Sequence, residues 1–326
     1  MDIMGKRKYA YIFSGTLTIL SIVALFTWGL KLGIDFRGGT LMEIQFSKKE
    51  TLPTEPSIPD DSTIATETAE NEPYKAPTRE DIENKLTDLN LESLNVQVSD
   101  ENVVVLRYVG SDESTNEKVI ERLDEFNAKV EQTRVDFVGA SVSNQLKRNA
   151  IIATILALVG IALYIAWAFR KVSYPVTSWQ YGICAIIALL HDIIITIGFF
   201  VLMGRFFGIE VGVSFIAALL TILGYSVNDT IVVYDRIREN LIRSSTKENF
   251  ENITNRSIME TLARSFNTAF TVIIVLIVIV LFGGESIKYF SLALLVGIGF
   301  GTYSSVFVAS ALLVSSYNRG LKTIHK

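Results

Sequence analysis

The chain has 326 residues and a formal net charge of −4, and 49% of its residues are hydrophobic. This length is enough for two ordinary domains, and a mean hydropathy of +0.37 is high for a soluble protein. The single cysteine, Cys184, excludes an intramolecular disulfide and is interpreted as a small buried residue. The two histidines, His191 and His325, are too few and too scattered for a metal site, so neither metal nor other cofactor is expected.

Six long apolar stretches predict membrane-spanning helices, because about 20 apolar helical residues cross a bilayer core of about 30 Å. The first stretch follows a short basic N-terminus, is too long for a signal-peptide core and lacks a small-residue cleavage site, so we interpret it as a retained span. The predicted spans are residues 9–30, 149–169, 180–204, 211–234, 265–282 and 289–317.

Lysine and arginine are shared unequally between the two sides of the predicted membrane. The short loops assigned to the outside contain only Arg205 and Lys288. The inner side contains Lys6, Arg7, Lys8, Arg170, Lys171, Arg236, Arg238, Arg243, Lys247, Arg256, Arg264, Arg319, Lys322 and Lys326. Basic residues favour the cytoplasmic side, so we expect both termini and a connection over 235–264 to be cytoplasmic. Residues 1–31 then form a tail and the first span, 32–148 an extracytoplasmic domain, and 149–326 the remaining spans.

The segment from 32 to 147 is acidic, with 24 acidic and 12 basic residues. Such a charge does not suggest a nucleic-acid partner or binding to anionic lipid. Residues 47–77 are rich in proline, threonine and acidic residues and are interpreted as a flexible insert.

Outside the insert, alternating patterns predict a small α+β domain. Strands are expected at 40–46, 95–98, 103–108 and 134–138, with a turn at 99–102 and helices at 78–90 and 114–130. Thr78 and Asp81 form an approximate capping box at the first helix. The second helix has Val119, Ile120, Leu123, Phe126 and Val130 on one face. The order βαββαβ predicts a ferredoxin-like sandwich.

An aspartate in the fourth span is the first candidate functional residue. Asp229, with Asn228 beside it, lies about 9 Å inside the membrane, counted from Asp235 at the cytoplasmic edge. A carboxyl group there costs several kcal/mol, about 2.5–3.5 on insertion scales. It survives protonated or paired with a cation, and exchange between those states would carry protons. The alternative is a fixed polar contact between helices.

Arg264, at the cytoplasmic end of the fifth span, is predicted at nearly the depth of Asp229, so the two could pair if the spans are neighbours. A basic residue at this position is otherwise ordinary membrane topology. A second polar pair, His191 and Asp192, lies near the middle of the third span. It is either a proton relay, since histidine titrates near neutral pH, or a hydrogen-bonded packing pair.

Two groups of glycines complete the candidate sites. Gly297 and Gly301 are four residues apart in the sixth span, a spacing that permits close helix packing. The segment 33–39, GIDFRGG, follows the first span, and its adjacent Gly38 and Gly39 permit backbone angles closed to other residues. Asp35 and Arg37 there could tether the outer domain or contact a partner, and a simple turn is the alternative.

The sequence lacks the Gly-rich loop ending in Lys-Ser/Thr that an ATP site needs, as well as metal-ligand spacing and a nucleophile–base arrangement. ATP-driven transport and covalent hydrolysis are therefore disfavoured, and we do not expect an enzyme. Any energy would come from an ion gradient, in which one charge crossing 100 mV supplies about 2.3 kcal/mol.

Several of these segments resemble the SecD/SecF family of protein-export membrane proteins, part of the resistance-nodulation-division superfamily. GIDFRGG at 33–39 resembles the opening of both SecD and SecF members. GYSVNDTIVVYDRIREN at 224–240 is similar to the fourth-span motif of the SecF members, and it is highly specific. His191-Asp192 and LFGG at 281–284 also match, and the acidic insert is longer than the family usually carries.

This resemblance implies a SecF-like subunit of the SecDF complex in the bacterial inner membrane, with SecD as its partner. It implies association with the SecYEG channel, with YajC and YidC as further partners and exported polypeptides as cargo. The proton motive force would assist export at a late, extracytoplasmic stage, with Asp229 and Arg264 involved in proton passage.

Two other functions stay open. One is half of a proton-coupled exporter of lipids or small molecules from the same superfamily, although such proteins usually have twice as many spans and outer domains. The other is a passive assembly scaffold in which Asp229 only joins helices. The coupling ion, H⁺ or Na⁺, is also left open by an isolated carboxylate.

Overall fold

The computed structural model of the chain describes residues 2–48, 77–98, 102–109, 113–126, 128–170, 176–244 and 248–324. The helices are α1 (Arg7–Trp28), α2 (Ile34–Arg37), α3 (Arg79–Leu86), α4 (Glu113–Asp124), α5 (Ala140–Ala168), α6 (Ser178–Phe207), α7 (Val213–Arg243), α8 (Phe250–Phe282), α9 (Glu285–Ser304) and α10 (Ser310–Ile324). The strands are β1 (Gly39–Lys48), β2 (Glu92–Val98), β3 (Val103–Val109) and β4 (Ala128–Val138). The chain divides into a membrane unit, Met1–Leu32 with Lys147–Lys326, and an α+β unit, Gly33–Leu146.

The α+β unit contains one four-stranded sheet in the order β2-β3-β1-β4, with every neighbouring pair antiparallel. Helices α3 and α4 connect β1 to β2 and β3 to β4. The βαββαβ order and this strand order are those of a ferredoxin-like sandwich, which confirms the predicted fold.

The core of this unit lies where the two helices cover one face of the sheet. Ile82 of α3 and Leu123 of α4 are fully buried with Met42, Ile44 and Leu106 of the sheet. The predicted capping box at α3 is confirmed: the Thr78 hydroxyl accepts from the Asp81 amide, and the Asp81 carboxylate accepts from the Thr78 amide. The cap satisfies amide groups that a helix start otherwise leaves without partners.

The predicted boundaries around β4 were wrong. We expected a helix over 114–130, but α4 ends at Asp124 and Val130 lies in β4. The reason is non-local: β1 runs on to Lys48, and the pairing of Lys48 with Ala128 extends β4 by six residues before Arg134. Ser47 therefore belongs to β1 rather than to the predicted insert, of which residues 49–76 lie outside the described residues. The turn predicted at 99–102 also lies outside them, apart from Asn102.

Six helices of the membrane unit are long and apolar enough to span a membrane, as predicted. They are α1, α5, α6, α7, α8 and a last span over Ile287–Arg319. In α6, α7 and the last span about half of the apolar window is buried, against 17% or less in α1, α5 and α8. Helices α6 and α7 and the last span therefore form the centre of the membrane unit. The free Cys184 of α6 is buried there.

Helices α7 and α8 continue well beyond their apolar stretches. We expected residues 235–264 to form a charged connection, whereas residues up to Arg243 belong to α7 and those from Phe250 to α8. The two extensions are joined by side chains: Arg236 Nε lies 2.6 Å from Glu260 Oε2, and Asn240 Nδ2 donates to Glu260 and to Ser257. These contacts join the polar sides of the two extensions, beside buried apolar residues such as Ile237 and Ile258.

The last span changes its hydrogen-bond pattern in the middle. Between α9 and α10, Ser305–Ala309 form one turn of π-helix, and the Ser310 hydroxyl donates to the Ser305 carbonyl at 3.1 Å. Such single π-turns occur frequently at functional sites.

Candidate functional site

Asp229 lies on α7, facing α8. Its side chain is buried, with the Ser265 side chain of α8 as its neighbour. Within the described residues, Asp229 Oδ2 and Ser265 Oγ are both buried and without a hydrogen-bond partner. Asn228, the next residue back along α7, is exposed in this chain. A buried carboxyl with an unused oxygen is a group able to accept a proton or a further ligand.

Arg264 precedes Ser265 on α8, which packs against α7, as the predicted pairing requires. Its side chain is exposed and lines an open groove of about 340 Å³ together with Ile231 and Thr261. Among the ion pairs of the described residues, none joins Arg264 to Asp229. The structure therefore brings the two residues to neighbouring positions of one helix–helix contact without a salt bridge between them.

Asp192 is fully buried in α6 and accepts hydrogen bonds at both carboxyl oxygens. His191 Nδ1 lies 2.9 Å from Oδ1, and the hydroxyls of Ser226 and Ser304 each lie 2.7 Å from Oδ2. These three partners come from α6, α7 and α9, so the carboxyl joins three of the central helices. Ring nitrogen Nε2 of His191 is also buried, and within the described residues it has no hydrogen-bond partner.

Hydroxyl groups extend this cluster into the π-turn. Ser305 Oγ lies 2.8 Å from Thr230 Oγ1, and both can donate to the Ser226 carbonyl. Thr230 follows Asp229 in α7, but Asp229 has Ser265 as its neighbour, whereas Asp192 contacts His191, Ser226 and Ser304. The sequence analysis missed Ser226, Ser304 and Ser305. The available signal was the need of a buried carboxylate for donors, together with the paired serines in an otherwise apolar span.

The predicted glycines lie where helices meet. A Cβ at Gly297 would overlap the Ile222 side chain of α7, and one at Gly301 would lie 3.0 Å from the Ser226 Cβ. The absence of a side chain at both positions therefore lets α9 pack closely against α7. This close packing places Ser304 within reach of Asp192.

The segment GIDFRGG forms the short helix α2 and the start of β1. Gly38 ends α2 at φ +81° and Gly39 follows at φ +128°, angles that side chains rarely adopt. A Cβ at Gly39 would also collide with the Tyr108 carbonyl of β3. Arg37 is exposed and Asp35 half-buried. The two glycines thus have a structural role at the start of β1, an inner strand of the sheet.

Among the residues that the structure describes, no cluster of three or more His, Cys, Asp or Glu side chains could hold a metal ion.

Comparison with known proteins matches two parts of the chain to family models. Residues 118–319 match the model described as protein export membrane protein SecD/SecF, C-terminal, and residues 23–50 match the SecD/SecF GG motif.

Relatives match over the full length of the chain. A protein translocase subunit SecF from Thermobaculum terrenum is 40% identical, covering 100% of this chain and 97% of the relative. The SecF subunit of Haemophilus influenzae is 34% identical over 99% of this chain and 87% of its own. The SecDF subunit of Bacillus subtilis is 35% identical over 98% of this chain, which spans only 39% of that longer protein.

The fold has a match among solved structures. The crystal structure of SecDF, a translocon-associated membrane protein from Thermus thermophilus, aligns with a TM-score of 0.78 and 29% identity over 98% of this chain and 39% of that chain. The identity over the full length and the match to the family model show that the chain belongs to the SecF family of protein translocase subunits.

Proposed function

We propose that the chain is the SecF subunit of a SecDF complex that uses the proton motive force to assist protein export through the SecYEG channel. The observation that carries the proposal is Asp229, a carboxyl buried between two spans with one oxygen unused. Burial of this group is costly in a membrane. A role in which this carboxyl alternates between charged and neutral states would explain why it is present despite that cost.

Arg264 is the second residue of the proposed coupling site. It lies next to Ser265, the neighbour of Asp229, and its exposed guanidinium lines an open groove. A cation that approached the carboxyl would favour the ionised form of Asp229. The absence of a direct salt bridge between the two among the described ion pairs leaves the carboxyl able to bind a proton.

The proposed partner is SecD. This chain spans 39% of the relatives named SecDF, so most of their length lies outside the match. Helix α8 supports the pairing with an exposed apolar stripe, Phe266, Phe270 and Ile274, spaced four residues apart. We propose that SecD covers this stripe, and that YajC, YidC and SecYEG associate with the pair.

The proposed site is the bacterial inner membrane with both termini in the cytoplasm. The basic residues of the α7 and α8 extensions, such as Arg236 and Arg256, would lie on the cytoplasmic side and the α+β unit on the other. The acidic α+β unit would then meet the exported polypeptide as it leaves the channel.

The test replaces Asp229 with Asn, which keeps volume and hydrogen bonding but cannot carry a proton. Late release of an exported protein is followed in energised and de-energised spheroplasts, after checking that the variant is present and bound to SecD. The matched control is Asp235→Asn, the same change on the same helix at a side chain that is 64% exposed. We expect Asp229→Asn alone to abolish the dependence of release on the proton motive force. Unchanged dependence would favour the passive scaffold.

A further inference from the structure

The His191–Asp192 pair and its serines form a second polar site in the membrane unit. Asp192 is completely buried and His191 is 7% exposed. The pair lies on α6, whereas Asp229 faces Ser265 of α8. The two carboxyl groups therefore have different partners.

The hydrogen bonds around Asp192 suit both of its protonation states. With Asp192 ionised, Ser304 donates its single hydrogen to Oδ2 at 2.7 Å. The same hydroxyl also lies 3.1 Å from the carbonyl of Gly301, one turn back on its own helix. With Asp192 protonated, its hydroxyl can donate to Ser304 Oγ while Ser304 donates to Gly301. Rotation of one hydroxyl thus satisfies either state without moving a heavy atom.

The other carboxyl oxygen of Asp192, Oδ1, keeps the same partner in both protonation states. Nδ1 of His191 donates to Oδ1 at 2.9 Å in both states, because Oδ1 accepts whether or not Oδ2 carries the proton. That leaves Nε2 as the free nitrogen of the ring, buried and, within the described residues, without a partner.

From these contacts we propose that Asp192 is a second proton-binding site of the membrane unit, with Ser304 as a switchable hydrogen-bond partner and His191 holding the other carboxyl oxygen. The proton lies on Asp192 Oδ2 in the loaded state. Uptake and release form and break this one O–H bond, with water as the donor and acceptor of the proton. A second proton-binding site would serve the proposed proton coupling, so its role rests on the proposed function. The chemistry of the site does not depend on export.

The neighbouring helices supply hydroxyls rather than charges. The groups that face the Asp192 carboxyl are His191 of α6, Ser226 of α7 and Ser304 of α9. Helices α1 and α10 and the π-turn also pack against α6, and no titratable side chain of theirs is among the groups acting on Asp192. A change in the pH dependence of this carboxyl would therefore report on His191 and the two serines.

The experiment measures the carbonyl stretch of a protonated carboxylic acid by infrared difference spectroscopy. The full chain with its SecD partner carries Asp229→Asn, so that this other membrane carboxyl does not contribute. We expect a band whose intensity changes with pH and that is lost on adding Asp192→Asn. Ser304→Ala removes a partner from both states, a charge-assisted donor from the ionised form and a neutral acceptor from the protonated form. Because a charge-assisted hydrogen bond is about twice as strong as a neutral one, the titration should shift to higher pH by about one unit.

The matched control is Ser310→Ala, a buried serine of the same span that donates to the Ser305 carbonyl, and it should leave the titration unchanged. If the Asp192→Asn protein does not assemble, the Ser304→Ala shift decides the question, because that variant keeps the carboxyl. A band that does not change with pH, or that titrates identically with and without the Ser304 hydroxyl, would overturn the proposal. Since the readout needs no export, it stands or falls separately from the role of Asp229.

Discussion

Close packing of α9 on α7 predicts a sharp difference between two glycines of the same helix. A Cβ at Gly297 would lie within 2.5 Å of two carbons of the fully buried Ile222 side chain, whereas one at Gly299 meets nothing within 4 Å. Forcing an extra methyl group into a packed interior costs about 1–3 kcal/mol. Replacing glycine by alanine in a helix returns up to about 1 kcal/mol, but that gain is common to both positions.

The difference in unfolding free energy between Gly297→Ala and Gly299→Ala should therefore be about 1–3 kcal/mol, with Gly297→Ala the less stable. Unfolding of the purified full chain by SDS in mixed micelles, followed by circular dichroism, measures it. Because the helix-propensity contribution cancels, the comparison isolates the contact with Ile222. Equal stability of the two variants would refute the packing argument.

Two further predictions concern the α+β unit. Burial raises the pKa of the Tyr108 hydroxyl to about 12 from 10, so the stability that this group contributes is complete below pH 10 and is lost as the pH rises through about 12. Tyr108→Phe should remove that alkaline loss, measured by circular dichroism against tyrosinate absorbance; an unchanged alkaline midpoint would speak against it. Gly39→Ala should destabilise the sheet, because of its positive φ and the collision with the Tyr108 carbonyl, whereas Gly139→Ala meets only Phe137 ring atoms at 3.8 Å or more. Hydrogen exchange of the β1 amides in the two variants compares them, and equal protection would contradict the prediction.

The sequence was sufficient for the spans and for the order of elements, because both are local patterns. Six apolar stretches and a βαββαβ alternation can be recognised without knowing what packs against what. The helix ends were harder to predict. The apolar stretch of the fourth span ends near Tyr234, but α7 continues to Arg243 because Arg236 and Asn240 bind side chains of α8. An apolar stretch reports the membrane thickness and not the length of the helix.

The partners of the buried aspartates could not be predicted either, because they come from residues that are distant in the sequence. Ser226 and Ser304 are 34 and 112 residues from Asp192, and only the folded bundle brings them together. Serine and threonine in these helices often bond their own backbone, as Thr154 and Thr268 do. A hydroxyl in an apolar span therefore does not identify its partner from sequence.

The central claim is that Asp229 moves charge through the membrane during export, and the dependence of release on membrane potential tests it most directly. One charge crossing the full potential gains about 2.3 kcal/mol per 100 mV, which allows at most a tenfold change in rate per about 60 mV. For the wild-type protein, the logarithm of the release rate should rise with the membrane potential. Its slope should be at most that value for each charge moved. The account predicts a flat line for Asp229→Asn with normal assembly, and an unchanged slope in that variant would contradict it.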